Sequence, residues 1–183
     1  MFAASSVLIL GSAVATGRPL SDAIAEGDVK KVEQLLAKGA DPNKGDQDGV
    51  LPLYQAVTLG NKEIVSLLIK AKAKVAARTD SYTGPSGTAF QAAASTGDLE
   101  IAKLLVSRGA KIDVSAEAIL CPASGGNIEF VKYLEERKAN LRAKGPQGEQ
   151  SNHRGASNTE MLRYLLSRSA DPVAKDNTGT QPI

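Results

Sequence analysis

An all-α solenoid of stacked helix-turn-helix units is the fold that this 183-residue sequence predicts, and three observations predict it. The segment Arg18-Pro19-Leu20-Ser21-Asp22-Ala23 returns as Leu51-Pro52-Leu53-Tyr54-Gln55-Ala56, with its proline 33 residues further on. A fixed period of that size is the mark of a repeat architecture. Within the frame, Gly27-Asp28, Gly60-Asn61 and Gly97-Asp98 recur ahead of apolar runs. The glycine ends one helix in a left-handed conformation without a Cβ penalty. The Asp or Asn caps the next by accepting an orphan backbone N–H. The composition, 42% apolar with only 4% aromatic and no tryptophan, suits thin layers of Ala, Leu, Val and Ile.

Each unit's first helix is expected to carry Ala23, Ala56 or Ala93 on its inner side, where a small side chain lets neighbouring helices approach closely. The second helix buries an apolar stripe, Val32, Leu35 and Leu36 in one unit and Ile64, Val65 and Leu68 in the next. Residues at i, i+3 and i+4 share one helical face. The third unit reads Thr88-Ala89-Phe90-Gln91-Ala92-Ala93-Ala94, then Ile101, Leu105-Val106 and Gly109-Ala110, with four extra residues between Thr79 and Gly87. The fourth keeps Ala123, Gly126-Asn127, Phe130-Val131 and Leu134. Its Pro122 predicts an irregular start to its first helix. The fifth is read from Asn158, Met161-Leu162 and Leu165-Leu166, and its first helix, Gln150 to Ala156, lacks an apolar face.

This pattern resembles the ankyrin repeat family: a turn, T-P-L-H-x-A-A, a helix-ending glycine, a second helix with paired leucines and a closing G-A-D, here Gly39-Ala40-Asp41 and Ala170-Asp171. The resemblance covers about residues 18 to 183, as units at 18–43, 46–76, 83–112, 115–140 and 145–173, with 176–183 resembling the opening of a sixth. It implies a solenoid with loop or β-hairpin fingers along one edge, and a protein-binding scaffold rather than a catalyst. Such a unit cannot bury both faces of its helices alone, so one continuous domain is expected. The alternative function is that of a structural spacer within a longer array.

Residues 1–17 carry no charged side chain and lie outside the repeat frame. The apolar run Val7 to Leu10 is too short to span a bilayer, which needs about 20 apolar residues. Ala13-Val14-Ala15 has the small-x-small form of a signal-peptide cleavage site, although no Lys or Arg precedes the run. Secretion to a periplasm or outside the cell is the expectation; an intracellular N-terminal cap is the alternative. Neither compartment is excluded by a single cysteine, Cys121.

Chemistry is sparsely represented. His153 is the sole histidine, so a His/Cys zinc site cannot be assembled within one chain. It reads as a solvated loop residue, and Cys121 as a small buried apolar one. No phosphate-binding glycine motif appears, and no cofactor, metal or catalytic residue is expected. Net charge is +2, and Lys70, Lys72 and Lys74 alternate with alanines at a helix end. That run reads as solvated charge rather than a nucleic-acid or lipid site.

The resemblance implies that a partner protein is held by finger tips and by exposed positions of the first helices. In the second unit this points to Gln47, Asp48 and Val50 on the finger and to Tyr54, Thr58 and Leu59 on the helix. In the third it points to Tyr82 on the enlarged finger and to Gln91, Ser95 and Thr96. Ser124 and Gly125 extend the surface into the fourth unit, and Lys144, Gln147 and His153 into the fifth. A monomeric chain is expected.

Overall fold

The computed structural model describes residues 19–81, 86–168 and 170–182. The described residues form five successive helix pairs: α1 (Pro19–Ala25) with α2 (Val29–Ala37), α3 (Pro52–Thr58) with α4 (Lys62–Lys70), and α5 (Ala89–Thr96) with α6 (Leu99–Ser107). There follow α7 (Ala116–Ser124) with α8 (Ile128–Glu135), and α9 (Ser151–Gly155) with α10 (Thr159–Ser167). The first helices pack in sequence, α1 on α3, α3 on α5, α5 on α7 and α7 on α9, while each also packs on its own second helix. Two short antiparallel strands, β1 (Arg78–Thr79) and β2 (Gly87–Thr88), form the stem of the third finger, with Arg78 opposite Thr88.

Local sequence explains the turns between helices. Gly27, Gly60, Gly97 and Gly126 all adopt positive φ, between 68° and 74°. Asp28, Asn61, Asp98 and Asn158 then cap the second helices, each side chain accepting from the N–H three residues on. Asn127 departs from the expected pattern and makes no side-chain cap. Its amide instead lies against Gly97 of the preceding unit, in space that any Cβ there would occupy.

At the end of the second helices, Gly39 and Gly109 take positive φ, and in the corresponding turns Lys72 and Lys138 do the same, at 67° and 66°. Both lysines are exposed, so nothing but the backbone sets their cost. A left-handed residue with a Cβ costs roughly 1–2 kcal/mol, partly offset by the freedom that glycine gains in the unfolded chain. Lys72→Gly is therefore expected to stabilise the fold by about 0.5–1 kcal/mol, measured as a rise in the urea midpoint at unchanged m value.

The small residues sit where expected: Ala23, Ala56, Ala93 and Ala123 are completely buried between helices. Val32, Ile64, Val65, Leu68, Ile101 and Leu105 of the second helices join those alanines in one buried apolar cluster. Leu35 is only half-buried, whereas its counterparts Leu68 and Leu105 in the next two units are fully buried; Leu36 is half-buried like its counterparts Ile69 and Val106. Polar bonds also cross between units. Gln55 accepts from the Ser21 hydroxyl and donates to its carbonyl, and Asn43 accepts from Lys74 N–H at 2.7 Å.

One expectation, for the fourth unit, needs correction, while the fifth unit's first helix is polar as expected. Helix α7 starts regularly, capped by Ser115, and Pro122 lies in its last turn, where the missing N–H removes a bond to the Ala118 carbonyl without breaking the helix. Helix α9 forms although its inner face is polar: Ser151 and Asn152 are buried and bond to the carbonyls of Leu141 and Asp171. Between α8 and α10, the Tyr164 hydroxyl and Arg168 Nε both donate to Glu135. Burial alone would raise the Glu135 pKa, but these two donors outweigh it and hold the carboxyl below its ordinary range. The Tyr164 phenol is pushed up to about 12 by burial and by its bond to Glu135.

Candidate partner-binding groove

Between the first helices and the fingers of units three to five runs a groove made of two clefts that share Ser95 and Cys121. The larger, about 550 Å³, is floored by Leu120 and Cys121 of α7 and walled by Pro146, Gln147 and Glu149 of the fifth finger, with Arg154 of α9 at its end. The smaller, about 340 Å³, is lined by Arg78, Ser86, Gln91 and Ala118. The helices supply one wall and the fingers the other, so the stacking that forms the core also fixes the width of the groove.

Its lining carries one carboxylate, Glu149, and two guanidiniums, Arg154 and Arg78, each of them in an ion pair. Glu149 is buried, and its carboxylate accepts from Arg154 at 2.8 Å and from the Gln147 N–H at 2.8 Å. The Arg154 hydrogen bond holds this carboxyl below its ordinary pKa, with the backbone donors adding to it against the opposing effect of burial. The cations stay accessible: the Arg154 side chain is 46% exposed, and that of Arg78 is 56% exposed. Arg78 pairs through Nε with Asp80 at 3.2 Å, an exposed contact that water screens heavily.

Of the residues singled out from sequence, Gln91 and Ser95 line this groove, as do Ser124, Gly125 and Gln147. Gln91 already has structural work. Its Oε1 accepts from the Thr88 N–H, Thr88 Oγ1 accepts from the Gln91 N–H, and Nε2 reaches Asp113 at 2.7 Å. Gln47 is exposed on the second finger, in a turn where Asp46 accepts from the N–H groups of Asp48 and Val50, themselves half-buried. Tyr54 is half-buried against the core, which raises its phenol pKa, and its carbonyl accepts from the Thr58 hydroxyl. Leu59, at the end of α3, is 53% exposed. Thr96 is exposed, with its hydroxyl on the Ala93 carbonyl. Gln47, Asp48, Val50, Tyr54, Thr58, Leu59 and Thr96 do not line the groove. Tyr82 falls outside the described residues, as does the candidate secretion signal within residues 1–17.

Two sequence readings fail here. Cys121 is exposed on the groove floor, not buried, because it lies on the open side of α7 while the buried Pro122 and Ala123 face inward. His153 is a bridge rather than a solvated loop residue. Its Nδ1 accepts from the Gln150 N–H and its Nε2 lies 3.2 Å from the Thr180 carbonyl. A carbonyl only accepts, so this arrangement selects the Nε2–H tautomer. Leu120 was missed, although the frame contained it: it follows Gln91 by 29 residues, the spacing that separates Gly97 from Gly126.

Among the described residues, no group of three His, Cys, Asp or Glu side chains converges to hold a metal ion, and no helix is long and apolar enough to cross a membrane. The comparisons with known proteins agree with the geometry. The family described as ankyrin repeats (3 copies) matches residues 20–116. The probable 26S proteasome regulatory subunit p28 of Saccharomyces cerevisiae is 34% identical over 176 residues, covering 90% of this chain and 76% of that protein. The ankyrin repeat, SAM and basic leucine zipper domain-containing protein 1 of Notamacropus eugenii is 32% identical over 100 residues, 55% of this chain and 21% of its own length. The 2-5A-dependent ribonuclease of Mus musculus is 49% identical over 51 residues, 27% of this chain and 7% of its own. With the helix pairs, the left-handed glycine turns and the fingers in place, the family match identifies this chain as a member of the ankyrin repeat family.

Proposed function

We propose that this chain is a non-enzymatic protein–protein interaction module that holds a partner protein through its finger tips and the open face of its first helices. Ankyrin repeats generally mediate protein–protein interaction. The observation that carries the reading is the groove of units three to five, whose lining residues Ser95, Cys121, Ser124 and Gln147 are exposed rather than committed to the core. A rigid stack supplies the pre-organised surface, and side chains with no stacking duty supply specificity. Leu59 adds an exposed apolar contact beyond the groove.

The similarity to a probable proteasome regulatory subunit makes the 26S proteasome the first partner to test. Purified chain is expected to co-sediment with purified 26S proteasome from yeast. A triple variant, Gln47→Lys, Leu59→Asp and Ser95→Arg, should lose at least about tenfold in affinity, since a few exposed residues carry most interface energy. Those three side chains are exposed, so circular dichroism should stay unchanged. Retention of full affinity by a folded triple variant would defeat this reading, and absence of co-sedimentation by the native chain would remove the proteasome as its partner.

A further inference from the structure

Resting on that reading, we infer that the groove across α5, α7 and α9 takes an extended segment of the partner that is acidic at both ends and aliphatic in the middle. The argument is charge complementarity around an apolar floor. Leu120, Cys121 and Pro146 make the middle of the groove apolar, while Ser95, Ser124 and Gly125 keep it shallow and unobstructed. A side chain of leucine or isoleucine size fits a cleft of about 550 Å³ open along one side.

Each end carries an ion-paired guanidinium whose side chain stays accessible. Arg78 marks the end on the third finger and Arg154 the end on α9. The acid that lines the groove, Glu149, is buried and held by Arg154 and the Gln147 N–H, so it presents little negative surface to a ligand. Asp80, the partner of Arg78, does not line either cleft and is 80% exposed to water. A ligand carboxylate would meet a guanidinium at either end, where planar fork geometry suits it. A basic segment would meet like charge at both ends. A compact folded surface would reach the rim but would leave the Leu120 floor unfilled.

A random dodecapeptide library displayed on phage, selected against the full chain and counter-selected against Ser124→Trp, tests this. Ser124 is exposed, so the indole fills the groove without entering the core. The expected consensus has an aliphatic residue flanked by Asp or Glu. A synthetic consensus peptide should slow alkylation of the Cys121 thiol by iodoacetamide at least about fivefold at saturation, bind about tenfold more weakly to Arg78→Glu, and weaken further with added salt. A basic or acid-free consensus overturns the inference, as does failure to select any peptide that distinguishes native chain from Ser124→Trp. So does a bound peptide that leaves the Cys121 rate unchanged. Partner binding that survives Ser124→Trp and Arg78→Glu but falls in the Gln47, Leu59 and Ser95 triple variant would sink this inference alone and leave the interaction module standing.

Discussion

Phe130→Ala is expected to destabilise the chain by about 3–5 kcal/mol, the usual cost of emptying a phenylalanine site in a packed core. Phe130 is 1% exposed and meets two aromatic edges: the Phe90 ring centroid at 6.3 Å with the planes at 61°, and the Tyr133 centroid at 6.2 Å with the planes at 74°. Phe90 belongs to α5 and Phe130 to α8, so the contact joins units three and four. Few aromatics are available to substitute for it, three phenylalanines in the whole sequence and no tryptophan. In a stack held by nearest-neighbour interfaces, weakening one interface divides the array. The urea transition of the variant should be broader than that of the native chain or split in two, with units four and five melting first. Val173→Ala is the control: Val173 is 62% exposed, and the change should stay within about 0.5 kcal/mol. A loss below about 1 kcal/mol for Phe130→Ala would show that the aromatic contact between the units carries no stability.

The first three units were legible because their signals are local. A left-handed glycine, an Asp or Asn cap and an apolar stripe at i, i+3 and i+4 each depend on residues within one turn, and their structures follow the expectation closely. Asn127 shows where locality ends: a good capping residue by type, it turns instead toward Gly97, 30 positions earlier. Pro122 departs from its expectation because it lies in the last turn of α7, where it costs one bond to the Ala118 carbonyl after the earlier turns are complete, and so leaves the start of the helix intact. The groove was partly legible through Ser95, Ser124 and Gln147. Arg78 was not, since its position follows from the pairing of β1 with β2 across the inserted finger, which no periodicity announces. Arg154 likewise acquires its place from Glu149, a partner set by the fold of the fifth finger.

The fifth unit is the place where sequence pattern is weakest, and Asn152→Ala should expose how it holds. Asn152 is completely buried, yet it is polar: Nδ2 donates to the Asp171 carbonyl and Oδ1 accepts from the His153 N–H at 3.1 Å. Ser151 donates to the Leu141 carbonyl, and the His153 ring spans from Gln150 to Thr180. These bonds replace the alanine packing of the other first helices, and they are less forgiving. Truncating an apolar side chain leaves a void, whereas removing a polar partner leaves a buried group unsatisfied at about 1–3 kcal/mol. The unit already carries one such group, Gln150 Oε1, which is buried without a partner among the described residues. Helix α9 spans only five residues, too few to form without tertiary support. Asn152→Ala should therefore lower amide protection in α9 and α10 by roughly tenfold or more in native-state hydrogen exchange. Protection in α3 to α6 should hold, because no described hydrogen bond of Asn152 reaches those helices. If protection fell equally along the whole array, the fifth unit would be folding as one with the rest. If it fell nowhere, the Asn152 bonds would contribute nothing that the apolar packing of Met161 and Leu165 does not already provide.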